Sequence, residues 1–331
     1  MNRKNYLDIL RGIAIFFVVF GHVTHIPVLR TYIFGFHIPL FFFISGLLFV
    51  PEKYGDFKQF FVKKFKSLMI PYCFFYLVTF LYWLLIERKI RGGVSPGSQL
   101  LGMFYGTYNM KYMLFNGALW FLPCLFTTEI LYFWINKICS VWCKLLVLLL
   151  IYILGISLIS FDITWFPWGG NAALLACVFY GLGYCLKNKA FQLEKLSWFH
   201  CALIIIICGI LQILLIDFTD ADLASLNINY YSYIPVALIG IALYFSLSLI
   251  IKKNKFLEFL GINSLVIFAF QEQTYRAVIF VFSKILNWET EMVRDDLWIC
   301  ISISVITILL IIPLTFGYNK FVKPLLLDRL Q

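Results

Sequence analysis

The sequence predicts an all-α integral membrane protein: a bundle of about ten transmembrane helices with both termini in the cytoplasm. Three observations predict it. Of 331 residues, 62% are hydrophobic and 13% charged, against about 45–50% apolar and about 25% charged in an ordinary soluble domain. Stretches of roughly 17 to 25 mostly apolar residues, each long enough for a hydrocarbon core of about 30 Å, occupy most of the chain. Lysine and arginine gather on alternate connections between those stretches. A β-barrel would alternate in and out along each strand, whereas Leu145 to Leu154 is apolar on every face.

The spans are expected, in order, at 7–28, 31–50, 68–87, 117–136, 145–161, 170–186, 198–217, 231–251, 262–284 and 297–317. The first follows Arg3 and Lys4, but it does not read as a signal peptide: no small-residue cleavage site follows, and Arg11 interrupts its early apolar part. The second is rich in phenylalanine and carries His37 beside Pro39. A basic amphipathic stretch, Phe57 to Ser67, feeds the third, whose helix starts at Ile70-Pro71-Tyr72. The remaining spans follow with short connections, apart from the outer loop that contains the Gly92 to Ser98 turn region. No internal repeat is evident, and the chain reads as one polytopic domain over 1–331.

The formal charge of +10 is a topology signal. With the N-terminus inside, inner segments hold 18 of the 27 basic residues and outer segments 7, while Arg11 and Arg276 lie within spans. The excess of lysine and arginine on one side places both termini in the cytoplasm. The partners this charge suits are the bilayer itself, acidic lipid and a phosphorylated ligand, with no nucleic acid. Nine cysteines are scattered, and only Cys139 and Cys143 lie close together, so neither a metal site nor a disulfide framework is expected. Phosphate-cradling glycine loops, zinc-protease motifs and nucleophile-elbow serines are absent from the sequence.

A charge in the bilayer is costly unless paired or hydrated, so ionisable residues within spans are candidate sites. The first span holds Asp8, Arg11, His22 and His25. Eleven steps of 100° return to within about 20°, so Arg11 and His22 project from one face, roughly 16 Å apart along the axis. Asp8 is placed to pair with Arg11. Arg11 otherwise reads as a side chain snorkelling to inner headgroups, His25 as an interface residue, and His37 as a residue at the start of its helix. The stretch with Lys63, Lys64 and Lys66 reads either as an anchor to anionic lipid or as an anion receiver.

Several strings together resemble the membrane acyltransferase-3 superfamily. They are Leu7-Asp8-Ile9-Leu10-Arg11-Gly12-Ile13-Ala14-Ile15 with His22 eleven after the arginine, then His37-Ile38-Pro39-Leu40-Phe41-Phe42-Phe43-Ile44-Ser45-Gly46. The lysine-rich lead into Ile70-Pro71-Tyr72, Leu119-Trp120-Phe121-Leu122-Pro123 and Gly261-Ile262-Asn263-Ser264-Leu265 complete the set. The Trp-Phe-Leu-Pro form and the lack of an appended domain look most like the fucose 4-O-acetylase branch. The resemblance spans residues 7 to about 270. It implies a plasma-membrane enzyme that moves an acyl group, usually acetyl from acetyl-CoA, to a hydroxyl of a cell-envelope glycan or lipid-linked saccharide.

Carried over by position, the resemblance implies that Arg11 and His22 are the essential pair, Lys63 and Lys66 the cytoplasmic basic pair, and Trp120 the tryptophan of the fourth span. Distant members place a glutamate five residues after that tryptophan, where this chain has Leu125; Glu129 is the nearest acid. Where the family often has a histidine in its ninth helix, this chain has Gln271 and Glu272, and Glu272 is also spaced to pair with Arg276.

The expected layout is directional. The phosphates of CoA belong near Lys63, Lys64, Lys66 and Arg11 at the inner face, and the thioester belongs near His22. A neutral imidazole has the pKa range to accept a hydroxyl proton as that oxygen attacks, and a transient acetyl-histidine is the other route. Trp120 either stacks on a sugar or walls the acyl channel. His25, His37, Gln271, Glu272 and Asn263 are the remaining candidates for acceptor contacts. A transporter or flippase is the rival class, since charges inside a bundle also mark a solute path, but no matched pair of broken helices supports it.

Overall fold

A computed structural model describes residues 4–90, 93–109, 111–215 and 221–327. Arg3, Arg91 and Arg329 of the charge count, the start of the Gly92 to Ser98 region, and the last two residues of the expected 198–217 span lie outside the described residues. The helices run α1 (Asn5–Val23), α2 (Pro27–Leu48), α3 (Phe57–Lys64), α4 (Ile70–Leu85), α5 (Pro96–Tyr105), α6 (Phe121–Ile135), α7 (Val141–Ser160) and α8 (Gly170–Cys185). They continue with α9 (Lys187–Gln192), α10 (Trp198–Leu215), α11 (Tyr233–Ile251), α12 (Lys255–Ile262), α13 (Ser264–Leu286), α14 (Thr290–Asp295), α15 (Leu297–Gly317) and α16 (Lys323–Leu327). One two-stranded antiparallel ribbon, β1 (Ala221–Asp222) with β2 (Asn227–Ile228), interrupts the helices.

Among the described residues, nine helical segments are long and apolar enough to cross a membrane, and α8, at 16 residues, is a shorter apolar helix. The all-α class and the order of spans therefore stand, with shifted ends. Pro27 starts α2 four residues earlier than expected, because a proline at the first helical position loses no hydrogen bond. His37 consequently lies well inside α2 and not at its start.

The basic stretch is also not a separate lead-in. Phe57 to Leu85 is continuous, with a π-turn over Phe65–Met69 in which the Ile70 N–H reaches the Phe65 carbonyl. Pro71 has no N–H to give and its ring would press on the carbonyl one turn back, and the wider turn accommodates it.

The described residues fall into two compact units. The first draws on Met1–Leu47, Gly183–Leu223 and Asn227–Thr315; the second on Leu48–Leu182, Ala224–Leu226 and Phe316–Gln331. In the first unit α1 is the buried centre, packed on α11, α12 and α13. Its crossing with α12 is set by two glycines. A Cβ at Gly12 would collide with the Leu257 carbonyl, and one at Gly261 with the Asp8 carbonyl. Without side chains there, the two backbones approach closely, the usual device where lipid gives helices no hydrophobic reason to associate. An aromatic cluster of Phe17, Phe36 and Tyr244 fills the neighbouring space, with Phe36 stacked on Tyr244 at 4.4 Å and the Tyr32 and Tyr244 hydroxyls 2.7 Å apart.

In the second unit α4 is tied to the α5 region through two buried tyrosines. Tyr76 donates to the Gln99 and Tyr112 carbonyls, and Tyr72 to the Met103 carbonyl. Phe49, Phe60, Tyr132 and Tyr180 form a ring cluster around the C-terminal end of α6. Helices α7, α10 and α15 turn rows of leucine and isoleucine outward, including Leu146, Leu150, Ile153, Ile206, Ile213, Leu309 and Leu310. Such faces suit lipid tails and no aqueous surface of comparable size.

Candidate functional site

The first unit assembles its candidate residues around α1. Near the N-terminus of α1 Arg11 pairs with Asp8 at 3.6 Å, one turn apart as the spacing predicts, and Asp8 is buried. At the other end His22 is half-buried in the last turn. Its ring stacks on Tyr275 of α13 at 6.5 Å with planes 13° apart, and meets the edge of Phe34 from α2 at 5.8 Å. Among the described residues, Glu272, Asp222, Arg30 and Arg276 are charged groups within electrostatic reach of His22.

His22 is held from behind by a residue the sequence reading counted only as an outer-loop cation. Arg294 of α14 donates from Nη2 to the His22 carbonyl at 2.7 Å and from Nε to the Val23 carbonyl at 2.9 Å. Those carbonyls belong to the end of α1, where no further helical N–H can reach them. The tie is reciprocal, because the His25 N–H donates to the Arg294 carbonyl at 2.9 Å. One turn earlier in α14, Glu291 meets His25 Nδ1 at 2.6 Å. His25 is thereby part of the joint between α1 and α14. Burial lowers Arg294 from its ordinary value, opposed by Tyr275 and Glu291; a guanidinium stays cationic through such a change.

The other candidates of this unit have distinct surroundings. His37 is buried, and its Nδ1 donates to the Ile33 carbonyl at 2.7 Å, which fixes the orientation of the ring. Phe34 lies between the two histidines, its ring 5.8 Å from His22 and 5.0 Å from His37. Glu272 forms an ion pair with Arg276, as its spacing allows. Gln271 is fully buried, and neither atom of its side-chain amide makes a hydrogen bond among the described residues. It stands one turn before Tyr275 on the same face of α13. Asn263 donates to the Phe259 carbonyl at 2.8 Å and so closes the junction between α12 and α13.

The second unit holds the lysines and Trp120. Lys63 is exposed, its ammonium 5.6 Å from the Tyr54 ring, and Lys66 sits within the π-turn. Lys64 turns inward and donates to Glu129 Oε1 at 2.8 Å, with the Tyr180 hydroxyl 3.5 Å from the same oxygen. Its charge is thus already met by a buried carboxylate, which separates it from Lys63. Trp120 is buried at the end of a 3-10 turn that leads into α6, with Pro123 in that helix's first turn. Among the described residues no three His, Cys, Asp or Glu side chains converge as a metal-holding set.

Neither the Arg294 clamp nor the Lys64–Glu129 pair was foreseeable from local spacing, since their partners are 272 and 65 residues apart. The short ribbon, Asp222 included, carried no sequence signal either.

The bundle of apolar helices thus holds a histidine, an ion-paired arginine and a buried amide that makes no hydrogen bond among the described residues. A family model described as an acyltransferase domain, Acyl_transf_3, matches residues 4–318. The chain belongs to this family and is a multi-pass membrane acyltransferase. No curated protein and no solved structure matches it.

Proposed function

We propose that this acyltransferase moves an acetyl group from acetyl-CoA, taken from the cytoplasmic side of the plasma membrane, to a hydroxyl of a cell-envelope glycan or lipid-linked saccharide. The observation that carries the reading is the construction of α1. One unbroken helix holds Arg11 on Asp8 near its N-terminal end and His22 in its last turn, and Arg294 fixes the backbone of that turn.

In this reading His22 takes the proton of the acceptor hydroxyl as that oxygen attacks the thioester carbon. The new C–O bond forms, the C–S bond breaks, and His22 returns the proton to the departing thiolate. Glu272 supplies negative charge when the imidazole becomes cationic, and Arg276 keeps that carboxylate in place. The unpartnered amide of Gln271 is available to donate to the thioester oxygen as it gains charge. Lys63, Lys66 and Arg11 are assigned to the phosphates of the donor, with lysine acting as a point charge and not as a bidentate fork. Lys64 contributes less because Glu129 neutralises it.

The test is release of free CoA from acetyl-CoA by the purified protein in lipid nanodiscs, with lipid-linked saccharides from the source membrane as acceptor. Acceptor-dependent CoA release with acetate recovered on the saccharide supports the reading. Movement of the saccharide across the bilayer with no consumption of acetyl-CoA overturns it in favour of a flippase.

A further inference from the structure

The second unit contains a cavity of about 320 Å³ at its loop end, distinct from the α1 residues discussed above. Its walls come from the loop after α5, the loop between α7 and α8, Trp120, and the tip of the ribbon at Ala224, Ser225 and Leu226. The distribution of lysine and arginine puts all three loops outside.

The cavity is built. Trp168 ties the first two loops together, its backbone N–H donating to the Tyr105 carbonyl at 2.7 Å and its indole N–H to the Phe104 carbonyl at 2.9 Å. Thr107 accepts from the Gly169 N–H at 2.9 Å and donates to the Phe166 carbonyl at 3.0 Å, while Tyr105 donates to the Trp165 carbonyl at 2.8 Å. Asn171 braces the second loop on itself by accepting from Phe166 N–H at 3.2 Å and donating to Ile163 at 2.6 Å. Backbone in the left-handed region is concentrated here, with Trp168 at φ 56°, Gly169 at 62° and Leu226 at 62°. For Trp168 and Leu226 that conformation costs of order 1 kcal/mol each, and it persists only where the surroundings impose it.

What the walls present is chemically specific. Trp120, Tyr105 and Tyr108 supply aromatic surface; Asn109, Thr164 and Ser225 supply amide and hydroxyl groups. Burial pushes the Tyr105 phenol up, so it stays a neutral hydroxyl. Among the described residues, none of the lining side chains carries a formal charge, although the chain as a whole is +10. A phosphate or carboxylate entering here would shed water with no cation to meet it. A lipid tail would offer no hydrogen bond to the hydroxyl and amide groups in the wall. A sugar ring fits both needs, with C–H faces for the aromatic walls and hydroxyls for the polar groups. The volume is at the small end of the range of about 300–1,000 Å³ for ligand pockets, enough for one ring and too small for a nucleotide sugar.

We propose that this outer cavity is a binding site for a single uncharged sugar unit, held between aromatic walls and neutral hydrogen-bonding side chains. The assignment of that unit to the acceptor rests on the transferase reading above; the binding itself does not.

Saturation-transfer difference NMR on the purified full chain in detergent tests it. The probes are the methyl glycosides of glucose, galactose, fucose and N-acetylglucosamine, with glucuronic acid and glucose 6-phosphate as charged comparators. At least one neutral glycoside gives transfer to its ring protons, and the charged comparators give none. The signal is lost in Thr164→Trp, which fills the cavity from an exposed loop position, and in Ser225→Trp should the first variant fold poorly. It is kept in Tyr108→Phe, which preserves the ring. Absence of any neutral-glycoside signal in the wild type, or an unchanged signal in a folded tryptophan variant, overturns the site. Equal signals from the charged comparators overturn its selectivity. Glycoside binding without CoA release leaves the cavity standing and removes the transferase reading; His22-dependent CoA release without glycoside binding does the reverse.

Discussion

Replacing Arg294 by alanine removes the only described tie between α14 and the carbonyls of His22 and Val23. The bonds lost are charge-assisted and short, 2.7 and 2.9 Å. Each is worth about 1.5 kcal/mol in a partly buried setting, so the last turn of α1 loses about 3 kcal/mol of restraint. That turn carries His22, and a base displaced by about 1 Å loses on the order of 100-fold in rate. Steady-state transfer with purified protein should show kcat down by about that factor and the KM for donor nearly unchanged, because Arg294 touches neither thioester nor phosphate in this account. Arg294→Lys keeps one donor and the charge and should recover part of the rate. Thermal unfolding measured in parallel separates a local effect from global loss. A folded Arg294→Ala protein with wild-type kcat would refute the claim that this clamp positions His22.

Three further outcomes follow from the same geometry. Gln271→Met replaces an orphaned buried amide with an unbranched apolar chain, so it should raise unfolding stability by about 1 kcal/mol or more while lowering kcat; a drop in stability would show that the amide has a partner. Lys63→Ala with Lys66→Ala should weaken CoA binding in a titration, with Lys63→Arg and Lys66→Arg tolerated; unchanged affinity in the double alanine variant removes the proposed phosphate contact. With native cysteines replaced, Gly97→Cys should react with a membrane-impermeant thiol reagent in intact cells and Glu52→Cys should not. Both positions are exposed, so labelling of Glu52→Cys from outside would invert the topology.

Much of the fold is legible in the sequence because a membrane span is a one-dimensional signal, a run of about 20 apolar residues. Its ends are less so. Pro27 moves the start of α2 outward, and Pro71 turns an expected helix start into a π-turn within a longer helix. Local pairs are legible for the same reason. Asp8 with Arg11 and Glu272 with Arg276 are three and four residues apart, and helical geometry alone brings them together.

Contacts between distant segments were not legible. Gly12 and Gly261 belong to two of the strings that carried the family resemblance, yet nothing in either string says that they allow α1 and α12 to meet backbone to backbone. Arg294 looks like any outer-loop arginine until α14 is folded against the end of α1. Lys64 reads as one of three equivalent cations until Glu129 is found beneath it. The outer cavity has no motif at all. It is made by hydrogen bonds from loop to loop, and the lack of charge among its described lining residues becomes visible only once those loops are assembled.

The central claim is that His22 performs proton transfer for an acetyl group passing from acetyl-CoA to a saccharide hydroxyl. Its most direct measurement is acetyl transfer from isotopically labelled acetyl-CoA to lipid-linked saccharide by purified wild-type protein and by His22→Ala at equal folded concentration. The account predicts labelled saccharide with the wild type and background label with the variant, whose unfolding profile and CoA binding match the wild type. Label incorporated by His22→Ala at the wild-type rate would contradict it.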